Sequence, residues 1–287
     1  MFTRISIIFF CAIGFVQAAD ALRFTGSDLI SVSLSRVVED MNLDRDDQVQ
    51  FSALGSLPAL DQLKSGEVDI AVIAVPLGKS SPKEDFVVYP LAYSVSVVLL
   101  NEDNPTNELT LSQLGGIFGA SEELQLQNWG ELGLAGWTSR SFKPITAQRE
   151  GDITVELFKH EVLKVSGLKT SVMQVKADEL APLIRGDLAS IAVTTEKSTS
   201  SGVKELMISA GKDRPAYEAS RDNVHFGDYP IRLPYFVVFK ASDSARAKPL
   251  LQALFSNETA EIFESNGLVA LPETVRRKLL IDLELTK

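Results

Sequence analysis

Within ITAQREGDITVELFKHEVL, residues 145–163, an amide, a guanidinium, carboxylates and a hydroxyl fall between Gln148 and Thr154. The pattern predicts a short strand, a turn at Gly151 and a helix from about Asp152 to Lys164. A glycine turn feeding a helix N-terminus offers backbone N–H groups and the positive end of the helix dipole, which together hold an anion. Gln148, Arg149 and Thr154 could add donors to such a site. Asp152 opposes it. Two unit charges 4 Å apart repel by about 4 kcal/mol at an effective dielectric of 20, on the order of a thousandfold in affinity. Aspartate is also among the best helix N-caps, so Asp152 reads equally as a structural cap.

Two further turns carry similar groups. ALRFTG leads into Ser27-Asp28, and QVQFSALG into Ser56, each followed by a helical pattern. Ser27 suits either a ligand or an N-cap. Ser56 precedes Leu57 and Pro58, and proline lacks the N–H that a backbone cradle would use, although it suits a first helical turn. The turns at 26–29, 55–58 and 148–154 all follow strands, and open α/β sheets bind ligands outside the carboxyl ends of their strands. One cleft is therefore expected. In it, Asp28 and Asp152 could accept from a cationic or hydroxyl-bearing ligand, with Gln148 and Thr154 as neutral partners.

Enzymatic chemistry has little to stand on. The chain has two histidines, His160 beside Lys159 and Glu161 on a solvated helix face, and His225 in an expected loop. No HExxH, CxxC or GxSxG pattern occurs, so no catalytic residue, metal site or cofactor is expected. The RGD at 185–187 reads as a turn, and TTEKSTSSG at 194–202 as a solvated connection. Trp129 and Trp137 are expected to pack at a lobe surface.

The elements that position these turns alternate. Helices are predicted over about 29–41 and 58–64, the second stopped by Gly66, and VDIAVIAV at 68–75 is an apolar run typical of a strand buried on both faces. YSVSVVLLN (93–101), KPITAQR, TSVMQV (170–175), LASIAVTT (188–195) and YPIRLPYFVVFK (229–240) are further strands. Helices are expected from about 109, near 178–184, and at about 245–255 and 258–264. Alternation of this kind implies largely parallel sheets with helices on both faces.

The whole chain sets the compartment. Arg4 precedes an apolar run at 5–16 that is too short to span a bilayer, and VQA ends it in small residues. This reads as a secretory signal peptide over 1–18, with a soluble periplasmic or otherwise secreted product and no lipid anchor at Cys11. Cleavage would remove Cys11, the only cysteine, and Arg4, so 28 basic residues become 27 against 38 acidic, a net charge of −11. That leaves no disulfide framework and no thiol nucleophile, and so acidic a chain lacks the basic footprint that nucleic acid requires. A chain of this length usually divides into two lobes.

One spaced set of residues is more specific. Asn101, Asn104-Pro105, Leu109-Thr110, Gln113-Leu114, Ile117-Phe118 and Trp129 resemble the pattern in the phosphate-binding subunits of bacterial phosphate ABC importers, within the type II periplasmic binding proteins. FTGSDL, ALGSLPALDQLKSGEVDIAV, YPIRLPYFVVF and SNGLVALP resemble further family segments in the same order, so the resemblance covers nearly all of 22–272. It implies a two-lobe α/β fold with mixed sheets, helices on both faces and two crossover strands. Lobe one would hold 20–95 and 236–287, and lobe two 96–235. It also implies a monomer that takes phosphate or another small solute between its lobes and delivers it to an ABC permease. Arg232 lies near a crossing strand, where a hinge role is expected.

The family's phosphate contacts are only partly present. Hydroxyl residues expected after Ser27 are Asp28 and Leu29, and the family carboxylate would fall near Ala74. Asp69 belongs to the strand motif and reads as structural. Gln148 stands where the family has an arginine, and Arg149 is one position off, which on a strand points to the other face. Ser-Gly-Thr becomes Asp152-Ile153-Thr154. A module that kept the fold, lost phosphate and serves a sensor or scaffold is therefore the alternative function.

Overall fold

The computed structural model describes residues 21–41, 43, 49–76, 78, 79, 82, 86–148, 153–195 and 200–285, and the side chains of all of these but 148 and 285. The expected signal peptide lies outside the described residues, as do Arg149 and Asp152.

The first sheet starts from β1 (Leu22–Gly26), which pairs in parallel with β2 (Val49–Ala53) and β3 (Ile70–Ala74). Between them run α1 (Ser31–Asp40), entered through a 3₁₀ turn at Asp28–Ile30, and α2 (Ser56–Ser65). Leu34, Val37 and Val38 recur at helical spacing and are buried, which fixes the face that α1 lays on the sheet. Gly66 ends α2 with φ +80°, a left-handed conformation that glycine takes without penalty. β3 is buried along almost its whole length, as its continuous apolar run requires.

β4 (Phe86–Val95) and β13 (Arg232–Lys240) complete this sheet as an antiparallel pair, with β13 also paired to β3. The register slips by one residue between Tyr235 and Phe236, so Leu91 has no opposite number, and the bulge sits beside Pro90, which cannot donate to the ladder. With the two-residue β14 (Val269–Ala270) the order is β14-β4-β13-β3-β1-β2.

After Ser96 the chain enters a second sheet. β5 (Val97–Asn101), β7 (Lys143–Gln148), β8 (Met173–Lys176), β9 (Ser190–Thr194) and β10 (Val203–Glu205) make it, in the order β10-β5-β9-β7-β8. A small third sheet joins β6 (Glu108–Thr110), β11 (Met207–Ser209) and β12 (Ala216–Tyr217). α3 (Leu111–Phe118), α4 (Thr154–Phe158), α5 (Leu180–Gly186) and α6 (Arg221–Phe226) accompany these strands. Finally α7 (Ser244–Leu254), α8 (Asn257–Ser265) and α9 (Glu273–Leu285) return to the first sheet.

Several expectations need correction. The strand expected over 93–101 is two strands that belong to different sheets, broken at Ser96. His225 lies on α6, not in a loop. A third C-terminal helix, α9, follows the two expected. Trp129 is wholly buried instead of lying at a surface, packed on Phe142 at 4.8 Å between ring centroids, with its indole N–H donating to the Ala189 carbonyl.

The residues that carried the family resemblance are explained by the fold. Asn101 Nδ2 donates to the Ile184 and Arg185 carbonyls while its Oδ1 accepts from Asp103 N–H. Asn104 donates to the Leu188 carbonyl and accepts from Thr106 N–H. Thr110 and Gln113 form a capping box at the start of α3. Asp69 is structural too: it accepts from Arg23 N–H at 2.7 Å, from the Arg23 guanidinium and from Arg246, tying β1 to α7. Burial alone would raise its carboxyl, but the Arg23 hydrogen bonds and the Arg246 charge outweigh it and hold it below the ordinary value.

Candidate functional site

The carboxyl ends of β1, β2 and β3 lie side by side because the three strands are parallel, and the first two predicted turns meet there. Leu54 and Gly55 N–H both donate to the Gly26 carbonyl. Gly55 has φ +89°, and a Cβ placed on it would lie 3.7 Å from Asp28 Oδ1, so the Asp28 side chain leans over the second turn. Ser27 is 1% exposed, bonds Val72 through its N–H, and its hydroxyl caps the 3₁₀ turn by accepting from Leu29 N–H. Ser56 Oγ accepts from Ala74 N–H at 2.9 Å. Where the resemblance implies a carboxylate near Ala74, the backbone there is instead tied to the second turn. Both serines spend an acceptor lone pair inside the protein, and each hydroxyl retains a proton to donate.

The elements on either side of the third predicted turn belong with the other sheet. Gln148 is the last residue of β7. Thr154 opens α4 and is wholly buried, and its carbonyl accepts from Ser96 Oγ at 2.8 Å. The helix expected to run to Lys164 does so, but changes character: after Phe158 it widens into a π turn over Lys159–Leu163. Lys164 then takes φ +59° and ψ −101°, a conformation disfavoured for any residue with a Cβ.

Facing this helix across a cavity of about 780 Å³ are Leu29, Pro76 and Leu233. Leu29 follows Asp28, Pro76 lies just past the end of β3, and Leu233 is the second residue of β13. Ile153 and Leu157 form the opposite wall. Four of the seven predicted site residues, Ser27, Asp28, Ser56 and Thr154, are thus set at the strand ends and helix starts flanking this cavity, though none of the four is in its lining. The apolar lining residues Leu29, Pro76 and Leu233 come from separate segments, which is why no sequence motif marks them. The remainder of the lining runs from Ile153 to Gly167 and mixes apolar side chains with Glu156, Lys159, His160, Glu161, Lys164 and Ser166. Charged groups on the helix wall are matched locally: Lys159 Nζ lies 2.9 Å from Glu156, and the buried Glu161 takes His160 Nδ1 at 2.9 Å and Lys164 Nζ at 3.7 Å.

On the crossing strands themselves is a cluster that sequence reasoning assigned only in part. Tyr93 on β4 shares a hydrogen with His225 Nδ1 at 2.9 Å, and Arg232 lies 5.5 Å from the Tyr93 ring centroid. Burial pushes the Tyr93 phenol up to about 12, against the opposing pull of Arg232. Burial first, and the Arg232 charge second, lower the His225 imidazole, while Asp222 acts the other way. Among the described residues, no group of three His, Cys, Asp or Glu side chains is placed to hold a metal ion, and no helix is long and apolar enough to cross a membrane.

Two sheets connected by a pair of adjacent strands, with parallel strand ends facing a helix across a cavity, define a two-lobe α/β binding-protein fold. The PBP superfamily domain matches residues 16–258, and the chain belongs to that family. It is similar to the phosphate-binding protein PstS of Pseudomonas aeruginosa, 22% identical over 92% of this chain and 87% of that one. It is likewise similar to the protein SphX of Synechococcus elongatus, 22% identical over 86% of this chain and 76% of the other. Among solved structures, PstS from Borrelia burgdorferi superposes with a TM-score of 0.69 at 15% identity, over 88% of this chain and all of that one. A possible phosphate-binding protein from Planctomyces limnophilus does so with 0.68 at 17% identity, over 93% of this chain and 98% of the other. Identities this low speak to the fold, and they agree with the mixed α/β, two-lobe architecture expected from the sequence.

Proposed function

We propose that the chain is an exported, non-enzymatic solute-binding protein that closes its two lobes on a small molecule and presents it to an ABC permease. The observation that carries this reading is the cavity itself: Leu29 and Pro76, from segments that flank the first sheet, and Ile153 and Leu157, at the helix that flanks the second, line one opening. A ligand there would touch both lobes at once, and hinge closure would then exclude water around it. We take lobe one as 20–95 and 236–287 and lobe two as 96–235, with residues 1–18 removed on export. The monomer needs no cofactor for this task.

Phosphate is what the similar PstS of Pseudomonas aeruginosa is named for binding, and it is the first solute to test. Ser27, Ser56 and Thr154 supply hydroxyls and helix starts for an oxyanion, with Gln148 and Arg149 adjoining. Asp28 and Asp152 oppose a dianion. Isothermal titration of the purified protein with phosphate and a panel of small solutes decides the matter: saturable binding of one solute supports the reading. Silence toward all of them favours the second reading, a sensor or scaffold module without transport. That alternative has its own observation, the Ser56–Ala74 bond, which closes the place where the resemblance implies a ligand carboxylate.

A further inference from the structure

We infer that the cavity between the sheets is an apolar compartment for the body of an organic solute whose polar end is an ammonium group, not for a bare oxyanion. This rests on the solute-binding reading above and specifies its ligand class. The walls are the first reason. Leu29, Pro76 and Leu233 on one side and Ile153 and Leu157 on the other offer hydrocarbon from both lobes, with Leu29 39% exposed and ready to be covered. A phosphate brought against these five side chains would lose hydration without gaining donors, and the Lys159, His160 and Lys164 donors elsewhere in the lining are already engaged by carboxylates. An alkyl or aryl group, by contrast, is stabilised by about 25 cal/mol for each Å² it buries.

Charge points the same way. The basic side chains along the helix wall already have partners, Lys159 in Glu156 and both His160 and Lys164 in the buried Glu161. Asp28, one residue from Leu29, is exposed and makes no ion pair among the described residues, and its Oδ1 leans over Gly55 at the mouth of the second turn. Among the described residues, the unmatched charge beside the cavity is therefore negative, and attracts a cation. The backbone supports a binding role for the wall: a π turn, which occurs often at functional sites, lines the cavity with Lys159, His160 and Glu161 and ends in the positive-φ Lys164.

The test is titration calorimetry of the intact protein with three probes: 2-phenylethylamine, 2-phenylethanol and inorganic phosphate. The inference expects the amine to bind at least tenfold tighter than phosphate. Leu29→Ser should weaken the amine and the alcohol alike by about tenfold, the worth of burying one such side chain. Asp28→Asn should reduce the amine to the affinity of the alcohol. Both substitutions are at exposed positions, and thermal melts would confirm that the variants fold. Phosphate binding untouched by Leu29→Ser overturns the inference and leaves the solute-binding reading in place. Amine binding indifferent to both substitutions also overturns it, since the probe would then sit elsewhere. No heat from any probe overturns the inference, and solutes outside this set would decide the broader reading.

Discussion

At the scale of single residues, the side chains that made the family recognisable are those that hold backbone in place. Asn101 is the clearest case, since one amide satisfies two carbonyls of α5 and one N–H of the following turn. Asn101→Ala leaves these groups to find other partners in a largely dry setting, and should cost about 1–3 kcal/mol by urea unfolding without changing solute affinity. An unchanged midpoint would mean that water replaces the amide freely. Asp69 allows a second test. Its carboxyl is held below the ordinary value, so it adds stability above the unfolded carboxylate range, and that stability is lost as pH falls through the folded value. Asp69→Asn should therefore destabilise the protein at pH 7 and flatten its stability profile below about pH 4. The same contrast explains what the sequence could and could not disclose about the site. Thr110 and Gln113 satisfy a short-range need, so their spacing is legible. Leu29, Pro76 and Leu233 are ordinary apolar residues until the sheet brings their three segments together.

At the scale of elements, periodicity served where one face of an element is buried and failed where the surroundings decide. α1 and α2 were legible from their apolar spacing and from Gly66. α6 has six residues and one wholly buried side chain, Val224, too little periodicity to mark a helix. α9 carries its buried Leu279 and Leu283 amid six charged residues, and reads as a polar tail without its packing partners. The break at Ser96 was invisible because Val97 to Leu100 continue an apolar run through a change of sheet. Where α4 widens into its π turn, Lys164 closes it in a conformation that costs roughly 1–2 kcal/mol for a residue with a Cβ. Lys164→Gly should recover most of that, less the extra chain entropy of glycine, for a gain of about 1 kcal/mol in denaturant unfolding. A loss of stability would indicate that the Lys164–Glu161 contact outweighs the backbone term.

At the scale of the molecule, the passage between sheets depends on a belt of hydroxyl and aromatic groups rather than on ion pairs. Ser96 N–H donates to the Ile231 carbonyl, its hydroxyl to Thr154, and its own carbonyl accepts from Tyr229, so the crossing point is held from three directions. Ser94 and Tyr235 join β4 to β13 through their hydroxyls at 2.9 Å. His225 is the titratable member of this belt with a range near neutrality, and it docks α6 on Tyr93 of β4. Burial and Arg232 hold its imidazole below the ordinary 6.5, with Asp222 partly offsetting them. In the interval between the folded and the unfolded value the unfolded chain binds a proton and the folded one does not. Stability must then rise with pH through that interval, and acidification from pH 6.5 downward must loosen the contact between α6 and the crossing strands. Protonation also puts a proton on both ring nitrogens, so that Nδ1 can only donate toward the Tyr93 hydroxyl, beside the Arg232 guanidinium. Unfolding free energies measured from pH 5 to pH 7.5 should therefore climb, and His225→Gln, which keeps a hydrogen-bonding group without the titration, should remove the climb. An imidazole found by NMR titration to be protonated up to or beyond pH 6.5 in the folded protein would sink this account, because the sign of the linkage would reverse.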